Sequence, residues 1–290
     1  MIESVSVKNG GGARVLEIPE SQTISEQLNR TVKGKRIRNV KANVSPHKFA
    51  FYYGDPEKYN DLLAGKAISG AHAVAGQVEI AAEDARVLFS DGINVRYYER
   101  GAGLPLKYQL RMECEDESSI VCSVQMYGGL WAFSEGGNDN PYYLVAKEKP
   151  SPLSDAFDES YFDSLLTGAK SSLSAKAFLA TEQRIPGLGN GALQDILFNA
   201  GINPQSKLDV LSAGDKSLLF ACVKQTLLEM TAKGGRDTEK DLFGNPGGYR
   251  TRMSNIAYMN PCPKCGGTIV RKAYMGGNVY FCPMCQPVRK

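Results

Sequence analysis

Gln183-Arg184-Ile185-Pro186-Gly187-Leu188-Gly189-Asn190 is the stretch on which the reading of this chain turns. Helical spacing precedes it: Phe162, Leu165 and Leu166 share a face, and Ser174 is placed to cap a helix that carries Phe178 and Leu179. Helical spacing also follows it, with Leu193, Ile196, Leu197 and Ala200 inward and Gly201 as the stop. The stretch therefore predicts a turn joining two helices. Glycines in such a turn expose backbone N–H groups where the next helix begins, an arrangement suited to a phosphate. On the loop alone, Gly187 and Gly189 suit any tight turn equally well.

Cysteine spacing adds a second module. Four of the seven cysteines fall as Cys262-Pro-Lys-Cys265 and Cys282-Pro-Met-Cys285, with 16 residues between the pairs. Paired Cys-x2-Cys knuckles at this spacing are the form of a structural zinc site with four thiolate ligands. Two disulfides are the alternative, and nothing in the chain marks an oxidising compartment. Thr268 to Tyr274 and Val279 to Phe281 read as strands around a Gly276-Gly277-Asn278 turn, giving a β-hairpin zinc ribbon with one Zn²⁺. With no open coordination position, that ion would fold the hairpin and take no part in catalysis.

Charge is segregated in the same direction. The 290 residues carry 34 Lys and Arg against 31 Asp and Glu, a formal net charge of +3. After Asp241 there is no acidic residue, and Arg250, Arg252, Lys264, Arg271, Lys272, Arg289 and Lys290 make that end +7 in side chains. The rest is acidic. A basic block at one end suits a polyanionic partner, and a solvated tail is the plainer reading. With 42% hydrophobic residues the chain can bury a core, and no apolar run approaches the roughly 20 residues of a membrane helix. No apolar secretory core stands at the N-terminus, so a cytoplasmic, nucleoid-associated protein of bacterial type, monomeric and without a membrane partner, is expected.

Residues 1–15 lack periodicity and read as a disordered extension, or as a stretch preceding a natural start at position 15. A helix follows, with Pro19 near its start, Ile24, Leu28 and Val32 at four-residue spacing, and Gly34 as its end. From Arg36 to Phe133 short strand-like runs alternate with turns, predicting an antiparallel sandwich or barrel. The expected order is α+β: helix plus β-sandwich over 16–134, linker over 135–150, helical domain over 151–250, zinc-finger hairpin over 251–290.

These motifs together resemble the formamidopyrimidine-DNA glycosylase and endonuclease VIII family of base-excision repair enzymes. The helix-two-turn-helix signature matches Gln183 to Asn190 followed by Asp195 to Pro204, and the zinc finger matches the four cysteines with Gln286. Leu16-Glu-Ile-Pro-Glu20 resembles the N-terminal motif, and Gly34-Lys-Arg-Ile37 its sequel. The resemblance covers residues 16 to 286. It implies an N-terminal β-sandwich, a helical domain and a cleft between them for double-stranded, damaged or abasic DNA, from which a base is flipped. It implies that Asn190 and Lys176 approach phosphate, with Gly189 of the turn and Arg271 and Lys272 of the hairpin completing the DNA-binding set. Turn capping and exposed polarity are the plainer readings of Asn190 and Lys176.

The chain departs from that family where the chemistry lies. The family's N-terminal proline, the amine that forms a Schiff base, aligns with Leu16. Its adjacent Glu aligns with Glu17, the one catalytic-type residue retained, with a structural carboxylate as the other reading. A catalytic Lys on a hairpin turn aligns with Gly76-Gln77, so the cation is absent. An Arg that holds phosphate in the zinc hairpin aligns with Gly277. The segment filling the gap left by a flipped base aligns with Met126-Tyr127-Gly128-Gly129, where Met126 or Tyr127 would be the wedge. The region from Thr238 to Arg250, matching a lesion-capping loop, is expected to be mobile. His47 and His72 read as structural. Two expectations stand side by side: a glycosylase with abasic-site lyase chemistry in doubt, and a catalytically inactive homologue that binds damaged or abasic DNA.

Overall fold

Alternation of buried and exposed side chains shapes the first half of the chain. The computed structural model describes residues 15–289, so for residues 1–14 the expected extension lies outside the described residues. Two compact units emerge: residues 15–148 with 231–248, and residues 149–230 with those from 249 onward.

The first unit opens with α1 (Ile18–Thr31). Pro19 sits in its first turn, where a missing N–H leaves no hydrogen bond unmade. Strands β1 (Ile37–Ala42) and β2 (Ala50–Phe51) follow, then the short helix α2 (Tyr59–Leu63). Seven more strands complete the unit: β3 (Ile68–Val74), β4 (Gln77–Ala82), β5 (Ala85–Phe89), β6 (Ile93–Tyr98), β7 (Leu110–Cys114), β8 (Ser119–Val124) and β9 (Gly128–Ser134). They form a four-stranded sheet in the order β1-β7-β8-β6 and a five-stranded sheet in the order β2-β9-β5-β4-β3. All pairings are antiparallel except β2 with β9. Leu28 of α1 shares one core cluster with Val78, Ile80 and Phe89 of the larger sheet and Val95, Met112 and Ile120 of the smaller. This is the expected β-sandwich, with α1 packed into it.

Two expected boundaries shift. The stretch 135–150, read as a linker, contains α3 (Pro141–Glu148). Asn140 caps it by accepting the Tyr142 N–H at 3.0 Å, and Tyr143 and Ala146 bury against Val74, Leu88 and Phe133. The Asn and Pro that suggested a linker are the start signal of a helix. The other shift concerns 231–248, expected in the helical domain, which belongs to the first unit. Leu242 lies in the sandwich core, and Gln27 of α1 accepts its N–H at 2.9 Å. Nor is this stretch featureless. Asp241 accepts from Phe243 N and Asn245 N, and a Cβ at Gly247 would come within 2.2 Å of the Gly235 carbonyl, so only glycine permits that backbone approach.

The second unit holds α4 (Glu159–Thr167), α5 (Ala175–Ala180), α6 (Ala192–Asn199) and α7 (Ala213–Ala232). Ser174 caps α5 by accepting the Ala177 N–H, and Ser212 and Asp215 bond reciprocally at the start of α7, as their spacing suggested. Phe162 and Phe178 meet edge-on at 5.5 Å in the helical core. The unit closes with β10 (Val270–Tyr274) and β11 (Gly277–Phe281), paired antiparallel. Their turn is Met275-Gly276, one residue earlier than expected. Both residues are left-handed (φ 51° and 71°), the geometry a two-residue hairpin demands, and Gly277 therefore stands in the strand.

Leu28 is fully buried where α1 meets the sheets. Leu28→Ala is expected to cost about 3 kcal/mol, within the usual 2–5 for such a truncation. In urea denaturation the midpoint should fall with an unchanged slope.

Candidate nucleic-acid interface

The loop from Gln183 to Asn190 is held from behind. Arg184 is buried and donates to the carbonyls of Ala177 and Thr181, tying the loop to the end of α5. Lys149 adds a bond to the Gln183 carbonyl at 2.6 Å. The exposed Asn190 side chain then sits just before α6.

Side chains from this helical module reach the hairpin. Asn190 Nδ2 donates to the Asn278 carbonyl at 3.2 Å. Lys176 Nζ donates to the Tyr274 carbonyl at 2.7 Å and lies over the Tyr274 ring. Burial pushes the Lys176 ammonium below the usual lysine range. Gln194 donates to the Asn278 carbonyl at 3.0 Å and accepts the Tyr280 N–H at 3.1 Å. A Cβ built on Gly277 would stand 3.6 Å from Asn190 Nδ2 and 3.8 Å from Lys176 Nζ. The positions matched to the family's phosphate-holding Lys, Asn and Arg thus lie together, with glycine in the last. On β10 the exposed Arg271 lies over the Tyr258 ring, and the exposed Lys272 donates to Gln205 at 3.1 Å.

At the other end of the hairpin the sulfurs of Cys262, Cys265, Cys282 and Cys285 all lie within 4.8 Å of one another. All seven cysteines are free thiols, with Cys262–Cys285 at 3.8 Å and Cys265–Cys282 at 3.5 Å. Sulfurs about 2.3 Å from a tetrahedral centre stand about 3.8 Å apart, so the four fit an ion of zinc's size and softness. Gln286, fully buried, accepts the Cys282 N–H and donates to the Ile202 carbonyl, fastening the second knuckle to the helical module. Buried Asp195 of α6 accepts the N–H groups of Arg252 and Met253, and burial pushes its carboxyl above the usual range.

Within the first unit, Glu17 stands at the start of α1, 3% exposed. Arg236 Nη1 donates to Glu17 at 3.2 Å, while Nε and Nη2 grip Glu20 at 3.0 and 2.8 Å. Arg236 Nη2 also approaches the Val15 carbonyl at 3.4 Å and Glu239 at 4.0 Å. Burial would favour a neutral guanidine, but the charges of Glu17 and Glu20 outweigh it and fix Arg236 as a cation. One cation faces three carboxylates. Glu239, the most distant, is pushed up to about 8 by burial and by the charges of Glu20 and Glu17, against the pull of Arg236 and the Val15 N–H. The sequence reading missed Arg236, Glu20, Glu239 and Gln194. A buried-facing Glu-x-x-Glu on α1 was the available signal, since two buried carboxylates require a cation.

The remaining expected positions are spread over the sandwich. Gln77 begins β4 after the Ala75-Gly76 turn, and Ser21 of α1 donates to the Ala75 carbonyl at 2.5 Å. Among the described residues no hydrogen-bond partner meets the buried Gln77 Oε1. Met126 and Tyr127 are exposed, at 39% and 40%. His72 pairs with buried Glu79 at 2.9 Å, and His47 accepts the Phe49 N–H at 3.3 Å.

Comparison with known proteins follows the same lines. No family model matches the chain. The formamidopyrimidine-DNA glycosylase of Geotalea daltonii is 26% identical over 278 residues, 93% of this chain and 99% of that one. The namesake from Symbiobacterium thermophilum is 28% identical, over 94% and 89%. The crystal structure of MutM (Fpg) from Thermus thermophilus shares the fold at a TM-score of 0.77 and 23% identity, covering 94% of this chain and all of that one. A Lactococcus lactis Fpg complexed with DNA containing an abasic site matches at 0.78 and 23%, covering 93% and 99%. The likeness runs end to end in sequence and in fold. The chain is thus similar over nearly its whole length to formamidopyrimidine-DNA glycosylases, and it shares their fold.

The buried cluster has a measurable consequence. Glu239 holds its proton in the folded state at pH values where the unfolded chain has released it. That contribution is fully present below about pH 4.5, where both states are protonated, and is lost as pH rises through about 8. The groups facing it are Arg236, Glu17, Glu20 and the neighbouring Thr238 hydroxyl. Wild-type stability should therefore fall by roughly 1 kcal/mol per pH unit more steeply between pH 5 and 8 than that of Glu239→Gln. Denaturant midpoints across that range measure it, and parallel curves would contradict the assignment.

Proposed function

We propose that this protein is a DNA-binding protein of base-excision repair that engages damaged or abasic duplex DNA. In this reading Asn190, Lys176 and the Gly189 turn grip the phosphate backbone together with Arg271 and Lys272 of the hairpin. The observation that carries it is the convergence of Asn190 and Lys176 on Gly277, two donors from different helical segments bonded to the two strands of a basic hairpin on either side of its turn. The bound-DNA structures of the Lactococcus lactis relative support the partner class. Exposed Met126 and Tyr127 supply the wedge that fills a flipped base's place.

Base removal on this scaffold runs without a Schiff base. Leu16 carries an amide nitrogen within the chain and cannot supply the family's secondary amine. Glu17 is the base that activates water: oxygen adds to C1′ as the glycosidic bond breaks, and the water proton passes to the carboxylate while the base departs. A second reading, a binder that does not cleave, is favoured by one observation. Glu17 is nearly inaccessible and tied to Arg236, as a structural carboxylate would be.

Zinc belongs to the same proposal. Cys262, Cys265, Cys282 and Cys285 would hold one Zn²⁺, and its four ligand positions leave none for substrate. About one zinc per chain is expected by elemental analysis. Cys282→Ser should lose the metal and with it the ordered hairpin; metal-free folded protein would contradict this.

Borohydride trapping on duplexes carrying a panel of oxidised bases and an abasic site separates the catalytic readings. No covalent adduct is expected. Alkali-labile sites should form at a damaged base and slow by roughly 10²–10⁴ in Glu17→Gln. A trapped adduct would restore the amine mechanism, and binding with no alkali-labile site at any lesion would establish the silent binder.

A further inference from the structure

The hairpin β10–β11 has an outer edge, and its register shows where. Tyr274 and Gly277 flank the two-residue turn, so they form a hydrogen-bonded pair and the alternation runs on from there. Asn278 and Tyr280 fall in the alternate positions, with their N–H and C=O groups directed away from β10. Gln194 meets these two residues. Its Nε2 donates to the Asn278 carbonyl at 3.0 Å and its Oε1 accepts the Tyr280 N–H at 3.1 Å. The side-chain amide stands where a peptide group of a third strand would. Gln194 is 2% exposed, so these bonds are shielded from water.

The same amide also touches the loop. Gln194 Nε2 lies 3.4 Å from Asn190 Oδ1, one helical turn before it. A donor on that oxygen sets which way the Asn190 amide faces, leaving Nδ2 toward the hairpin and Gly277. We propose that Gln194 is a positioning residue of the backbone grip, which docks β11 on α6 and orients the Asn190 amide toward the space beside Gly277 and Lys176. The inference rests on the DNA-binding reading above. It also explains how Asn190 is released to a phosphate oxygen without cost to the hairpin. The Asn278 carbonyl accepts from both amides, so Gln194 keeps it satisfied when Asn190 turns away.

The test uses the full-length, metal-loaded protein and a fluorescent duplex carrying one tetrahydrofuran abasic-site analogue, read by anisotropy. Gln194→Ala and Asn190→Ala are each expected to weaken binding about tenfold, and the double variant no further than about twofold beyond either. Gln194→Glu keeps the acceptor for Tyr280 N–H but puts an oxygen against the Asn278 carbonyl and Asn190 Oδ1. It should lose the same affinity while the Tyr280 amide stays protected from exchange and the zinc content is unchanged. Additive losses, or wild-type affinity in Gln194→Glu, would overturn the orienting role, as would metal loss in both Gln194 variants, which would mark the residue as a hairpin support only. A wild-type protein that binds neither this duplex nor an undamaged one would overturn the DNA-binding reading itself, and the positioning role with it.

Discussion

A two-stranded hairpin does not hold itself together in water. The side chains of β10 are half-buried or exposed along its whole length, and β11 buries Val279, Tyr280 and Phe281, with Tyr280 in one cluster with Phe198 of α6. Everything the second unit presents at the hairpin therefore depends on how the two strands are fastened from outside. The fastening is double. At the open end four cysteine sulfurs converge, with Gln286 bonded to the knuckle and to the Ile202 carbonyl. At the turn end Lys176, Asn190 and Gln194 bond to the carbonyls of Tyr274 and Asn278. A metal-sized cluster fixes one end, and polar side chains of the helical module fix the other.

The first unit solves a different problem. A guanidinium 2% exposed is tolerable only among opposite charges. Arg236 has them in Glu17 and Glu20, and the excess falls on Glu239, which carries a proton up to about pH 8. The cluster joins the start of α1 to the stretch after α7, and Leu242 of that stretch lies in the sandwich core. Glu17 is accordingly part of the folded frame whatever else it does. A carboxylate that shares an arginine can still accept a proton, but it must give up part of that contact to do so.

How much of this was legible follows from what each feature depends on. The two Cys-x2-Cys knuckles and the Pro-Gly-Leu-Gly-Asn turn are set by local spacing, and both stand where the sequence put them. The strands between Arg36 and Phe133 were legible as a class, because their period is local. Their sheet order was not, since β2 beside β9 and β1 beside β7 are pairings over long separations. Asn140-Pro141 illustrates an ambiguity of signal: the same dipeptide opens a linker or a helix, and the burial of Tyr143 decides it. Arg236 and Gln194 were invisible for a related reason. Nothing in the chain near Arg236 announces that its partners lie 216 and 219 residues away. Gln194 looks like an ordinary polar residue on a helix until β11 is brought against it.

The departures from the family have a common direction. At Gly76-Gln77 and at Gly277 the expected cation is absent, and burial holds the Lys176 ammonium below the usual lysine range. At the hairpin amides act at short range, Asn190 and Gln194 on the Asn278 carbonyl, while exposed cations stand on β10 at Arg271 and Lys272. On the proposed reading this separates two tasks that a buried arginine would combine. Long-range attraction to a phosphate chain falls to exposed charge, which salt screens over about 10 Å. Placement of the backbone falls to neutral donors, whose strength depends on angle and distance and which release no counterion. A grip of that kind is selective for geometry rather than for charge. Loosening the hairpin by a fraction of an ångström would then cost it more than removing one surface lysine.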